Sequence, residues 1–308
     1  MKKRTECSAI CGDCGSRAEE ENAGMRTGAA VRAAFTVCLA VLLLLCGAGA
    51  VSAAPSGYWT DHAANDYAGG DGSETNPYNI SRPEEFALFA KQVNANLNTT
   101  QNFTLTSNID LSAYLWEPIG NVTTDNPTTH IFQGTFDSGN HTISNMNVTK
   151  VVGSDCIYAG LFGCVKDAMI KNVTLTGVVV NVTPSGDGNA CSGGLAGYAI
   201  GGSITNCCAT GDVSASGTTT AYSGGLVGSA SSSITNCCVT GSASGTTTAY
   251  SGGLAGYARG SITNSTALNP WVNATGDSSL NIGRAVGQLW TGATVSDCYA
   301  WRHMGLNI

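Results

Sequence analysis

The sequence predicts an all-β fold: a right-handed parallel β-helix, or solenoid, with a short N-terminal capping helix. Three observations predict it. A long segment repeats, since Ser216–Leu226 reads SGTTTAYSGGL and Ser244–Leu254 reads the same. A short apolar-x-Asn segment follows each Gly-Leu-x-Gly turn at variable distance. The composition suits short strands and tight turns, with 40 glycines, abundant Thr and Val, and only 11% charged residues.

The first half of the unit is AGLFG (Ala159–Gly163), GGLAG (Gly193–Gly197), GGLVG (Gly224–Gly228), GGLAG (Gly252–Gly256) and a degenerate GRAVG (Gly283–Gly287). The second half is read at Ile143, Ile170, Ile204, Ile234, Ile262 and Val295, with spacings of 27, 34, 30, 28 and 33. Fixed short segments separated by variable lengths are the mark of a stacked scaffold with loops of differing size. Glycines interrupt every unit, as Gly-Gly pairs in three of the five, and no long 3.6-residue stripe runs between them, which excludes a helical repeat. Strands placed once per repeat then stack about 4.8 Å apart. Parallel crossovers are almost always right-handed.

Aligned on those six apolar residues, the second column after them is Asn145, Asn172, Asn206, Asn236, Asn264 and Asp297. Asn tolerates the left-handed backbone of a strand corner, and stacked amides can donate and accept along the axis. The column is expected to form a structural ladder. If it is buried, Asn236→Ala costs on the order of 1–3 kcal/mol. The next column (Met146, Val173, Cys207, Cys237, Ser265, Cys298) is small or apolar and is expected to face the core. The one after it (Asn147, Thr174, Cys208, Cys238, Thr266, Tyr299) is expected to face out. Cys208 and Cys238 then become neighbours on adjacent turns, within Cα range of a disulfide.

The Gly-Leu-x-Gly turns followed by I-x-N-C resemble the GLUG repeats of bacterial and archaeal surface proteins. Upstream segments strengthen the resemblance: NPYNI (Asn76–Ile80), EEFALFAKQVN (Glu84–Asn94), NIDLS (Asn108–Ser112), PIG (Pro118–Gly120) and FQGTFDSGNHTISN (Phe132–Asn145). It covers about residues 57 to 300 and implies a pectate-lyase-like right-handed solenoid, without implying a lyase. Similar repeats occur in adhesin-like proteins and beside the catalytic part of some IgA-cleaving metalloproteases.

Residues 1–54 read as a signal peptide. Ala33–Ala50 is a long apolar run, Arg26 and Arg32 precede it, and Val51-Ser52-Ala53-Ala54 supplies small residues for cleavage. The competing reading is an N-terminal membrane anchor. The acidic Asp13, Glu19, Glu20 and Glu21 fit a signal badly and point to a translation start at Met25. Residues 55–110 read as an N-terminal cap and lead-in, and 104–308 as the β-helix. Ser81-Arg82-Pro83-Glu84 has the chemistry of a helix start with Ser81 as N-cap, so a helix over 82–95 is expected to cover the first turn. Trp59 and Trp116 lie early, and Trp271, Trp290 and Trp301 late. They read as end-capping bulk, with a carbohydrate platform as the competing reading of the late three.

No constellation of catalytic residues stands out. No Glu follows Glu117, and the turns from Asn172 to Ala258 contain only Asp187 and Asp212 and no Lys or Arg, a poor basis for a paired-carboxyl hydrolase or a calcium-dependent lyase. His62, His130, His141 and His303 lack metal-ligand spacing. No catalytic, metal or cofactor-binding residue is therefore expected. Net charge is −7 with no basic patch, so no nucleic-acid partner is expected. Ten N-x-S/T sequons are present, at Asn79, Asn98, Asn102, Asn121, Asn140, Asn147, Asn172, Asn181, Asn264 and Asn273. The expected function is an exported, adhesin-like, non-catalytic scaffold that binds glycan or protein on a host or neighbouring cell, with no membrane span after signal cleavage. The alternative is a polysaccharide-active β-helix enzyme, or a non-catalytic region of a surface protease.

Overall fold

The computed structural model describes residues 56–122, 129–152, 156–184, 188–276 and 279–308. The expected signal peptide lies outside the described residues. The strands stack in parallel into three sheets of eight, 14 and five strands. Together they form a parallel β-helix. The only α-helix among the described residues is α1, Pro83–Asn94. None of their helices is long and apolar enough to cross a membrane.

The eight-stranded sheet carries the isoleucine column. Ile170 pairs with Ile204, Ile204 with Ile234, Ile234 with Ile262 and Ile262 with Val295. The four isoleucines are at most 1% exposed, and burying each side chain stabilises the stack by about 1.5–3 kcal/mol. The first member of the expected column is corrected. Ile143 lies in the 14-stranded sheet, between Ile109 and Leu175, and the place beside Ile170 is taken by Phe136. Two inward strand segments precede Ile170, Thr135-Phe136-Asp137 and Thr142-Ile143-Ser144, and only the second is followed by the apolar-x-Asn pattern. The alignment took the second, which explains its short first spacing.

Strand Thr174–Pro184 shows how the wall is built. Val178, Val180 and Val182 are buried while Val179 and Asn181 between them are exposed, the period of two expected of a half-buried strand. The Gly-Gly-Leu corners turn the chain from the 14-stranded sheet to the five-stranded one. Their leucines, Leu161, Leu195, Leu226 and Leu254, are at most 1% exposed. A Cβ on Gly224 would sit 2.1 Å from the Val227 carbonyl oxygen, and one on Gly252 2.1 Å from that of Ala255. The corner is too tight for a side chain at that position.

Helix α1 closes the N-terminal end. Phe86 stacks on Trp116 at 4.8 Å between ring centroids, and Phe89 on Phe103 at 3.8 Å. Phe89 also meets Phe132 at 5.0 Å, so the apolar face of the helix continues into the interior of the stack. The helix start differs from expectation. Arg82, not Ser81, is the N-cap and makes no side-chain cap bond. Instead the buried Glu85 carboxylate accepts from the Ser81 backbone N–H at 2.7 Å, the Ser81 hydroxyl at 3.1 Å and Arg82 Nε at 2.9 Å. A charged acceptor in the first turn does the work assigned to serine.

Trp59 and Trp116 are buried at this end, where their indole N–H groups donate to the carbonyls of Leu111 and Leu161. Trp271, Trp290 and Trp301 do not serve as buried capping bulk, being 52%, 54% and 43% exposed.

Candidate functional site

The expected Asn column occupies a sharp corner of the coil. Asn145, Asn172, Asn206, Asn236, Asn264 and Asp297 all have left-handed backbone, with φ from +47° to +59°. Side-chain hydrogen bonds run along part of the column: Asn236 donates to Asn206 Oδ1 at 3.2 Å, Asn206 to Asn172 Oδ1 at 3.2 Å, and Asn172 to Asp137 Oδ1 at 2.9 Å. Asn145 is not part of this run. It shares the backbone conformation but donates to Asp110 Oδ1 at 3.0 Å, at another corner. The run is also solvent-accessible rather than buried. Asp137 is held below the usual carboxylate range. Partial burial opposes its charge, but the Asn172 amide, the Gly139 N–H and Lys171, 3.4 Å away, together outweigh burial.

Cys208 and Cys238 face each other across adjacent strands with Cα atoms 4.6 Å apart, and a disulfide joins them. They point away from the main core but are 8% and 3% exposed, because Leu268 packs over them. The expected outward column is therefore covered here. Beside them Cys207 and Cys237 are fully buried in the core. Burial, then the neighbouring Cys237, raises the Cys207 thiol well above its ordinary range, which marks a structural thiol rather than a nucleophile.

The feature with the chemistry of a binding site lies elsewhere. Two strand columns flank each Gly-Gly-Leu corner and project side chains away from the core. The first runs Tyr158, Cys191, Tyr222, Tyr250 and Asn281. The facing one runs Cys164, Tyr198, Ser229, Tyr257 and Gln288. Over the first three turns a tyrosine on one side faces a small residue on the other, so the rings interleave. Tyr158 stacks on Tyr198 at 5.6 Å and Tyr222 on Tyr250 at 5.0 Å, while Tyr257 meets Tyr250 edge-on at 6.0 Å.

The stripe ends at Trp290, whose ring lies 6.3 Å from that of Tyr257. Arg259 sits over both rings, with its guanidinium carbon 5.4 Å from the Tyr257 centroid and 5.0 Å from that of Trp290. Four of the tyrosines, Tyr158, Tyr198, Tyr222 and Tyr257, with Ser229 and Arg259, line an open cavity of about 160 Å³, and Trp290 stands beside it rather than in its lining. Burial, with Cys191 and the Tyr250 and Tyr257 hydroxyls nearby, pushes the Tyr222 phenol up to about 12, so it is a neutral donor at ordinary pH. Burial likewise pushes the Cys164 thiol up to about 12. Among the described residues no group of three or more His, Cys, Asp or Glu is arranged to hold a metal ion. The groove offers flat faces, hydroxyl donors and one cation.

This groove flanks the repeated glycine corners, and the same corners carry a family motif. The family described as the GLUG motif matches residues 188–214 and 247–273. The chain carries the GLUG motif on a parallel β-helix. In the GLUG repeats here, the matched segments supply Tyr198, Tyr250, Tyr257 and Arg259 of the groove together with Cys208 of the disulfide. A protein named as a Gly-rich membrane protein from Evansella cellulosilytica is 33% identical over 123 residues, which is 38% of this chain and 13% of that protein. Halomucin of Haloquadratum walsbyi is 32% identical over 171 residues, 52% of this chain and 2% of that protein. The chain thus spans a small part of the length of these relatives. A crystal structure described as an immunoglobulin A1 protease of Bacteroides ovatus superposes with a TM-score of 0.54 at 21% identity, covering 79% of this chain and 82% of that one. That likeness shows the fold alone.

Proposed function

We propose that the protein is an exported, cell-surface, adhesin-like scaffold that is non-catalytic and binds glycan or protein on a host or neighbouring cell. The observation that carries this reading is the aromatic groove: tyrosines and a tryptophan contributed by successive turns, aligned by the register of the stack rather than by a flexible loop. A β-solenoid holds such side chains at fixed intervals without any pocket-closing motion. Large aromatic side chains with a polar tip provide contact area at little conformational cost. The names of the relatives, a membrane protein and a halomucin, support placement at the cell surface. Signal cleavage after Ala53 or Ala54 is part of the proposal. N-terminal sequencing of protein recovered from the surface of intact cells tests it. A start near Ala54 is expected, whereas a cytoplasmic chain that retains Leu39–Leu45 contradicts export.

A further inference from the structure

We infer that the groove is a subsite for an acidic sugar, in which Arg259 pairs with the sugar carboxylate, the lining tyrosines pack on the ring and Trp290, beside the cavity, extends the aromatic surface. This rests on the reading of the protein as a binding scaffold and names the ligand class of the same site.

Arg259 carries the argument. It makes no ion pair with a carboxylate among the described residues, whose two salt bridges are Arg82–Glu85 and Lys171–Asp137. The charged and titratable groups that act on it are the hydroxyls of Tyr257, Tyr198 and Tyr222, with no Asp or Glu among them. What sets Arg259 apart from the other cations without an ion pair is its place, over two aromatic rings of the groove. The guanidinium sits in the corner between the Tyr257 and Trp290 rings, which are inclined at 72° to each other, and the side chain is exposed to a ligand. A guanidinium so placed matches a carboxylate in bidentate geometry.

The remaining features select a sugar. At about 160 Å³ the cavity is smaller than the roughly 300 Å³ and upward of sites that enclose a drug-sized ligand. It accommodates one ring of a longer chain. Tyr222, with its phenol held neutral, and Ser229 present hydroxyls to a polyol edge, and the exposed Trp290 ring presents an apolar face to the C–H face of a pyranose. A nucleic acid would require a row of cations along its phosphates. The preceding turns, from Asn172 to Ala258, have neither Lys nor Arg.

The test is calorimetric titration of the full chain with trigalacturonate and sialyllactose, each against its methyl ester, and with inorganic sulfate. The acids should bind at least about tenfold tighter than the esters, and sulfate should not compete. R259Q should weaken acid binding by about 10- to 100-fold, the range of a charge-assisted hydrogen bond, and weaken ester binding far less, so that the preference for acid over ester is lost. R259K should fall between, since it keeps the charge without the fork. W290A should weaken acid and ester alike. Arg259 and Trp290 are both exposed, so the variants should melt with the wild type, which the same samples show. Equal binding of acid and ester, competition by sulfate, or wild-type affinity in R259Q overturns the acidic-sugar assignment. If in that case neutral glycans still bind, the scaffold reading stands. Absence of binding to any glycan overturns the assignment and removes the glycan half of that reading.

Discussion

Asn236 donates its side-chain amide to Asn206 Oδ1 at 3.2 Å across adjacent turns, and both residues hold a left-handed backbone with φ of +55°. Two contributions meet at this corner, an exposed hydrogen bond and a backbone conformation that most side chains resist. They can be separated. Asn236→Ala should destabilise by about 1–2 kcal/mol, mainly because alanine is strained at positive φ. Asn236→Gly should recover most of that loss, since glycine adopts the conformation readily. Urea melts of the two variants decide between the contributions. Equal destabilisation would assign the effect to the lost amide instead.

The Cys208–Cys238 bond closes a loop with a sequence separation of 30. Loop-entropy arguments give a bond of that span about 3–4 kcal/mol. Protein prepared under oxidising conditions should yield a peptide pair linking these cysteines in mass mapping, and Cys238→Ser should lower the melting temperature. Free thiols at both positions would contradict the bond. Cys207 and Cys237, buried in the core, should resist alkylation until the protein unfolds.

The Tyr222 phenol supplies a pH signature. Its folded pKa is raised to about 12, first by burial, against an ordinary value of about 10. The folded state therefore holds this proton more tightly than the unfolded state. Its contribution to stability is intact below about pH 10 and disappears as the pH rises toward 12. Absorbance at 295 nm should show a phenol titrating near pH 12 that is missing in Tyr222→Phe. The variant should also lose less stability than the wild type between those pH values. A difference spectrum centred near pH 10 would contradict the burial of this ring.

Much of the fold was legible because one periodicity dominates it. The Gly-Gly-Leu corners and the Ile-x-Asn segments recur with the residue types that a corner and an inward strand position require, and Ile170 to Val295 stack as that pattern predicts. The pattern failed where the chain offered two candidates in one turn. Ile143 and Phe136 both precede a plausible corner, and the loop length that decides between them is not encoded in either segment. Ser81 carried the right chemistry for an N-cap, but Glu85 was better placed to reach back.

The groove was visible only in halves. AYSGGL occurs twice, placing Tyr222 and Tyr250, and GLAGYA occurs twice, placing Tyr198 and Tyr257. Each tyrosine lies a few residues from a glycine corner that folds it back, and only the corner brings the halves face to face. The exact repeat of AYSGGL was a signal for more than scaffolding. Trp290 gave less warning, because it lies in a degenerate unit and reaches the groove by the stacking of Leu289 on Ala258.

The central claim is binding without catalysis. The most direct measurement incubates the purified chain with a panel of pectins and other glycans and records both retention on the immobilised glycan and release of soluble product. Saturable retention without product is the expected result. Product release that is abolished by a single Asp→Ala substitution would contradict the account and establish an enzyme.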